Sequence, residues 1–218
     1  TTTGRTKVEI QTYRTASGAG CTQSTPTVVS WTVKPQPNAG LSVTDNSGGS
    51  TSDGVICVGG QATLKASGGT SYTWSTGATG DQITVTPTAE TEYTVTVKDA
   101  NNCINTASRS ISVNPRPVAT FSTTPGAAAC AETEVTYTTQ SGQSDYVWSI
   151  PGTKGTDYEL VSPDPITSAT FSVTLKWKTG GSKEVTVTYK DANGCTPSTA
   201  AKHTLTVNAQ PKLTGITW

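Results

Sequence analysis

Short runs of alternating apolar and polar residues fill this chain, with turn residues between them. Thr27-Val-Val-Ser-Trp-Thr-Val33, Leu41-Ser-Val-Thr44, Ala62-Thr-Leu-Lys-Ala66, Tyr93-Thr-Val-Thr-Val97, Ser108-Arg-Ser-Ile-Ser-Val113 and Thr204-Leu-Thr-Val207 follow a period of two. No stretch keeps apolar residues at three- and four-residue spacing for three turns. Thr and Val suit a pleated, half-buried surface, so the chain reads as all-β. Turn signals recur at intervals of roughly 8–12 residues, which is the signature of a β-sandwich.

One hairpin recurs. Tyr93-Thr-Val-Thr-Val-Lys-Asp-Ala-Asn-Asn-Cys103 returns as Val185-Thr-Val-Thr-Tyr-Lys-Asp-Ala-Asn-Gly-Cys195, and a looser copy runs from Val8 to Cys21. Aligning the chain to these copies gives four pieces. Residues 1–37 read as the C-terminal half of a truncated repeat, 38–117 as a complete sandwich and 118–211 as a longer one. Residues 212–218 read as the first strand of a following repeat. The longer repeat carries an insert, Gly152–Pro165, and a strand over Ala169–Trp177. The boundaries Asn114-Pro-Arg-Pro117 and Ala209-Gln-Pro-Lys212 are short, and two prolines at a junction favour stiffness over free hinging.

A hydrophobic share of 33% makes each core small and dependent on a few aromatics. Fifteen basic residues balance fifteen acidic ones, with no basic stripe of the kind a nucleic-acid binder shows. No apolar run is long enough to cross a bilayer as a helix, so neither nucleic acid nor membrane insertion is expected. The absence of Met marks the chain as an expected piece of something larger. Five cysteines in a Thr/Ser-rich β chain point to an oxidising, extracytoplasmic setting. With one His and no Cys-x-x-Cys, zinc is not expected, nor is any other cofactor.

Trp74 and Trp148, each two residues after a tyrosine, are expected in the cores of their sandwiches. Asp99, Asn101, Asp191 and Asn193 read as hairpin turns, with a calcium loop as the lesser alternative. His203 is expected to be solvated, on the strand face opposite Leu205 and Val207. The pairs Glu90/Glu92 and Glu132/Glu134 imply no pocket, and no catalytic constellation can be assembled. Each complete repeat carries its own cysteine pair, which favours bridges Cys57–Cys103 and Cys130–Cys195 and leaves Cys21 without a partner in this chain. The alternative is a bridge across a repeat junction, whose sign would be a Cys57–Cys195 peptide. Within-repeat bridges would contribute about 3–4 kcal/mol each.

Cys57-x-Gly-Gly-x-x-Thr-Leu-x-Ala-Ser-Gly-Gly-Thr-Ser-Tyr-Thr-Trp-Ser, followed by the Tyr93–Cys103 hairpin, resembles the immunoglobulin-like and PKD-like repeats of Bacteroidota cell-surface proteins. The resemblance covers nearly the whole chain, although Asn102 stands where glycine is usual. It implies very large secreted proteins, often exported by the type IX system, including gliding-motility adhesins. The expected function is therefore structural and adhesive: a stalk or filament at the cell surface, associated with the outer membrane, without catalysis. Its partners would be neighbouring repeats, other copies in a filament, or a surface or glycan ligand. The competing reading is a carbohydrate-binding or accessory module of a secreted polysaccharide-degrading enzyme, for which Tyr13, Tyr158, Trp177 and Trp218 are the candidate surface aromatics.

Overall fold

The computed structural model describes residues 7–12 and 27–211; Tyr13, Cys21 and the expected strand at 212–218, with Trp218, lie outside the described residues. A hairpin comes first, β1 (Lys7–Thr12) and β2 (Thr27–Thr32), paired antiparallel from Lys7↔Thr32 to Thr12↔Thr27. Seven strands follow: β3 (Gly40–Asp45), β4 (Val55–Cys57), β5 (Ala62–Ser67), β6 (Ser71–Trp74), β7 (Gln82–Val85), β8 (Thr91–Lys98) and β9 (Ile104–Asn114). They form two sheets, β3-β5-β7 and β4-β9-β8-β6.

Eight more strands repeat this plan. They are β10 (Phe121–Thr123), β11 (Ala128–Cys130), β12 (Glu134–Thr139), β13 (Ser144–Ser149), β14 (Tyr158–Ser162), β15 (Ser172–Trp177), β16 (Gly181–Lys190) and β17 (Ala201–Asn208). Their sheets are β10-β12-β15-β14 and β11-β17-β16-β13, the same order with β14 added at one edge by the insert. This is the immunoglobulin-like arrangement, strands A-B-E-D facing A′-G-F-C. Contacts group Thr1–Val43, Thr63–Val85 and Thr91–Ser110 into one compact unit, and Thr44–Ala62, Thr86–Glu90 and Ile111–Trp218 into a second.

Alternation fills the cores. In the longer sandwich, Val135 and Tyr137 of β12 and Val173, Leu175 and Trp177 of β15 meet Val185 of β16 and Leu205 and Val207 of β17. Tyr146, Val187, Tyr189 and Ala201 form a smaller cluster. The seven-strand sandwich buries Ile56, Leu64, Trp74, Val95, Val97 and Ile111. Trp74 is 2% exposed and donates its indole N–H to the Gly80 carbonyl at 2.9 Å. Trp148 is half-buried against both clusters of its sandwich, and its Nε1 donates to the Thr170 carbonyl at 2.7 Å. The paired tyrosines fasten the preceding turns: Tyr72 Oη donates to the Gly69 carbonyl and Tyr146 Oη to that of Gln140.

Two expectations change here. His203 shares strand parity with Leu205 and Val207, so it lies on the inward face rather than the solvated one. It packs edge-on against Tyr137 at 5.8 Å and Phe121 at 6.3 Å. Trp177 is fully buried, and Tyr158 stacks edge-to-face on it at 5.7 Å, half-buried against the same core. Neither presents a sugar-stacking surface.

At the end of β3, Asp45 is 5% exposed and accepts the Gly54 amide at 3.2 Å through Oδ2, while Oδ1 is buried without a hydrogen-bond partner. Burial raises its pKa above the ordinary carboxylate value, and the charge of Asp53 adds to this, against the lowering by the Gly54 amide. The folded state therefore holds this proton more tightly than the unfolded chain. Stability declines as pH rises through the window between the ordinary value and the raised one. Asp45→Asn is expected to raise the melting temperature at pH 7, with the gain shrinking as pH falls through the carboxylate range. An unchanged or lower melting temperature at pH 7 would contradict this.

Candidate functional site

The chemistry of this chain gathers where the seven-strand sandwich hands over to the longer one. β4 is only three residues long and pairs in parallel with the end of β9, which sets Cys57 beside Asn114, the last residue before the Pro115-Arg-Pro117 junction. The Val58 amide donates to the Asn114 carbonyl at 2.9 Å. Arg116, between the two prolines, donates Nε to the Val58 carbonyl at 2.8 Å and Nη1 to the Thr196 carbonyl at 3.0 Å. One guanidinium thereby fastens the strand that carries Cys57 and the turn that carries Cys195.

That turn is shaped by Asp191. Its Oδ1 accepts the amides of Asn193 at 2.9 Å and Cys195 at 2.8 Å, while the Asp191 amide donates to the Cys195 carbonyl at 3.0 Å. Such a carboxylate cap closes the turn locally and fixes the direction of the following cysteine. Gly194 adopts φ +73°, and a Cβ there would sit 2.7 Å from the carbonyl carbon of Gly48. Glycine is required twice over, by backbone conformation and by the close approach of the Gly48-Gly49 loop.

The two cysteines meet. Cys57 and Cys195 form a disulfide with Cα atoms 5.7 Å apart across a sequence separation of 138, and both belong to the same compact unit. This overturns the expected Cys57–Cys103 and Cys130–Cys195 bridges: Cys103 is a half-buried thiol and Cys130 an exposed one. The reason is the parallel β4–β9 pairing. It carries Cys57 to the end from which β9 leaves the sandwich, whereas Cys103 sits at the opposite end, where β9 begins.

The four residues of the calcium alternative take part in turn hydrogen bonds. Asp99 Oδ1 accepts the amides of Asn101 at 2.8 Å and Cys103 at 2.9 Å, and Asn101 Oδ1 is taken by the ammonium of Lys34 at 2.6 Å. Partial desolvation of Asp99 works against ionisation, but the two amides outweigh it and hold its carboxyl below the ordinary value. Asp191 and Asn193 close the matching turn in the same way, so all four residues serve as turn formers. Glu90, Glu92, Glu132 and Glu134 are exposed, and Glu134 pairs with Lys176 at 3.4 Å. Among the described residues no group of three acidic, His or Cys side chains is placed to hold a metal ion.

Sequence reasoning missed Arg116 and the Gly48-Gly49 loop. A usable signal existed: Val33-Lys-Pro-Gln-Pro37, Val113-Asn-Pro-Arg-Pro117 and Val207-Asn-Ala-Gln-Pro211 align residue for residue and put a long polar side chain between the same two positions.

Neither protein-family models nor curated proteins match this chain. Solved structures do. The fibronectin(III)-like modules of Clostridium thermocellum CbhA align at 12% identity over 77% of this chain and 94% of theirs, TM-score 0.34. An adhesin described as Ca2+-stabilized, with which an Antarctic bacterium binds ice, aligns at 18% identity over 94% of this chain and 57% of its own, TM-score 0.38. Domains 4 and 5 of the S-layer protein SbsC align at 13% identity over 79% and 99%, TM-score 0.31. These are proteins the chain is similar to at low identity; the immunoglobulin-like arrangement itself is read from the strand order of the two sandwiches.

Proposed function

We propose that this chain is a structural segment of a large extracellular adhesin, a stalk of tandem sandwiches that holds a binding element away from the cell surface and performs no catalysis. The observation that carries the reading is the Cys57–Cys195 disulfide, which joins one sandwich to the next and leaves each core to hydrophobic packing. When the ends are pulled, force passes through the sulfur–sulfur bond and bypasses everything between the two cysteines. Residues 58–194 cannot be drawn out while the bridge holds. Arg116 adds a non-covalent clamp at the same place. A disulfide so placed also suits an oxidising, extracellular compartment.

The repeat signature supports a PKD-like protein of the Bacteroidota surface, exported by the type IX system and associated with the outer membrane, with gliding motility as one setting. Its partners would be adjoining repeats, other copies in a filament, and a surface ligand at the tip. The carbohydrate-module reading loses ground because Trp177 and Tyr158 belong to a core. Electron microscopy of the intact protein, combined with a glycan array of this chain, tests the proposal. A beaded rod and no oligosaccharide binding are expected. A compact globule, or saturable binding to one glycan class, would overturn it.

A further inference from the structure

The two thiols among the described residues, Cys103 and Cys130, stand where the two halves of the observed bridge stand, one repeat away. At Cys130 the strand pairing and its flanking bonds match. Cys130 pairs with Asn208 across the parallel β11–β17 ladder, as Cys57 pairs with Asn114. The Ala131 amide donates to the Asn208 carbonyl at 2.8 Å, as that of Val58 does to Asn114. Gln210 Nε2 reaches the Ala131 carbonyl at 3.2 Å, the role that Arg116 Nε fills at Val58. At Cys103, Asp99 caps the turn through the same two amides as Asp191, and the Asp99 amide donates to the Cys103 carbonyl at 3.0 Å.

Exposure agrees with this match. Cys57 and Cys195 are 2% and 0% exposed within their bridge. Cys130 is exposed, and beside Cys103 the apolar side chain of Ile104 is 56% exposed. The mismatch at the turn also fits. Asn102, at φ +63°, replaces Gly194, whose glycine is demanded by the nine-residue Asn46–Gly54 loop that precedes β4. Only Thr124–Ala127 separates β10 from β11, so the half-site at Cys130 lacks the loop that would crowd a side chain there.

The geometry points to Cys103 and Cys130 as open halves of the same inter-repeat bridge. Cys130 takes the turn cysteine of a repeat that follows it, and Cys103 takes the cysteine on the short parallel strand of a repeat that precedes it. The partner is in each case another repeat of this kind, and the bridges run head to tail as a ladder. Because Cys130 lies between Cys57 and Cys195 in sequence, successive loops overlap. Each rung forms by thiol–disulfide exchange: two thiols give up two protons and two electrons to an oxidant of the disulfide class, such as glutathione disulfide, which leaves as two thiols. This inference rests on the tandem-stalk reading.

The test lengthens the full chain by a second copy of residues 38–211 placed after Pro211. Val207-Asn-Ala-Gln-Pro211 then precedes the copied Asn38 in the place of Val33-Lys-Pro-Gln-Pro37. The protein is refolded in a glutathione/glutathione disulfide buffer, alkylated with N-ethylmaleimide and digested without reduction. A Cys103–Cys130 peptide is expected from the monomer, with three alkylated thiols per chain: Cys21, the first Cys103 and the last Cys130. Cys130→Ser in the first copy should abolish that peptide and keep the Cys57–Cys195 peptides, which report correct folding. Five alkylated thiols alongside intact Cys57–Cys195 bridges would overturn the ladder and leave the stalk reading standing. Loss of the Cys57–Cys195 peptides themselves would overturn both.

Discussion

Replacing Cys57 or Cys195 with serine is expected to lower the stability of the oxidised chain by about 3–5 kcal/mol, since the bridge closes a long loop in the unfolded ensemble. The loop spans a separation of 138 residues. One bond is lost in either variant, so Cys57→Ser, Cys195→Ser and the double variant should fall to a common level in denaturant titrations instead of adding. Under a reductant the wild type should join them. Stretching single molecules should show the mechanical side of the same fact. The oxidised chain withholds the bridged segment, and reduction should release roughly 470 Å of additional contour at full extension. Additive losses in the double variant, or equal contour lengths with and without reductant, would contradict this account.

Trp177→Ala is expected to cost about 3–5 kcal/mol, the range for truncating a large aromatic in a packed core. Its ring is fully buried, receives the edge of Tyr158 at 5.7 Å, and has the Lys183 ammonium 5.3 Å from its centroid. The same variant separates the two functional readings. A tryptophan that stacks on sugar can be truncated with little loss of stability and a large loss of binding. Here the loss should lie in stability. A Trp177→Ala protein with an unchanged denaturation midpoint would place this residue outside the core and reopen the carbohydrate reading.

Much of the fold could be read directly from the residues. Period-two alternation located most strands, and the Tyr93–Cys103 hairpin recurs as β8–β9 and β16–β17. What escaped has physical causes. β4 and β11 are three residues each, too short to leave a pattern, and their parallel pairing with β9 and β17 decides where Cys57 and Cys130 point. Counting cysteines per repeat favours internal pairs, and that pairing direction selects the alternative, the bridge to the next repeat. Arg116 lies in a segment legible only as proline-stiffened, because its two carbonyl partners are 58 and 80 residues away in sequence. His203 shares the parity of Leu205 and Val207, and Trp177, a candidate only under the carbohydrate reading, shares that of Leu175 and Val173, so alternation alone turns both inward.

The covalent link runs between repeats and not within them. Peptide mapping of the oxidised 218-residue chain, alkylated and digested without reduction, tests it most directly. A Cys57–Cys195 peptide with alkylated Cys103 and Cys130 is expected. Peptides joining Cys57 to Cys103 and Cys130 to Cys195 would contradict it.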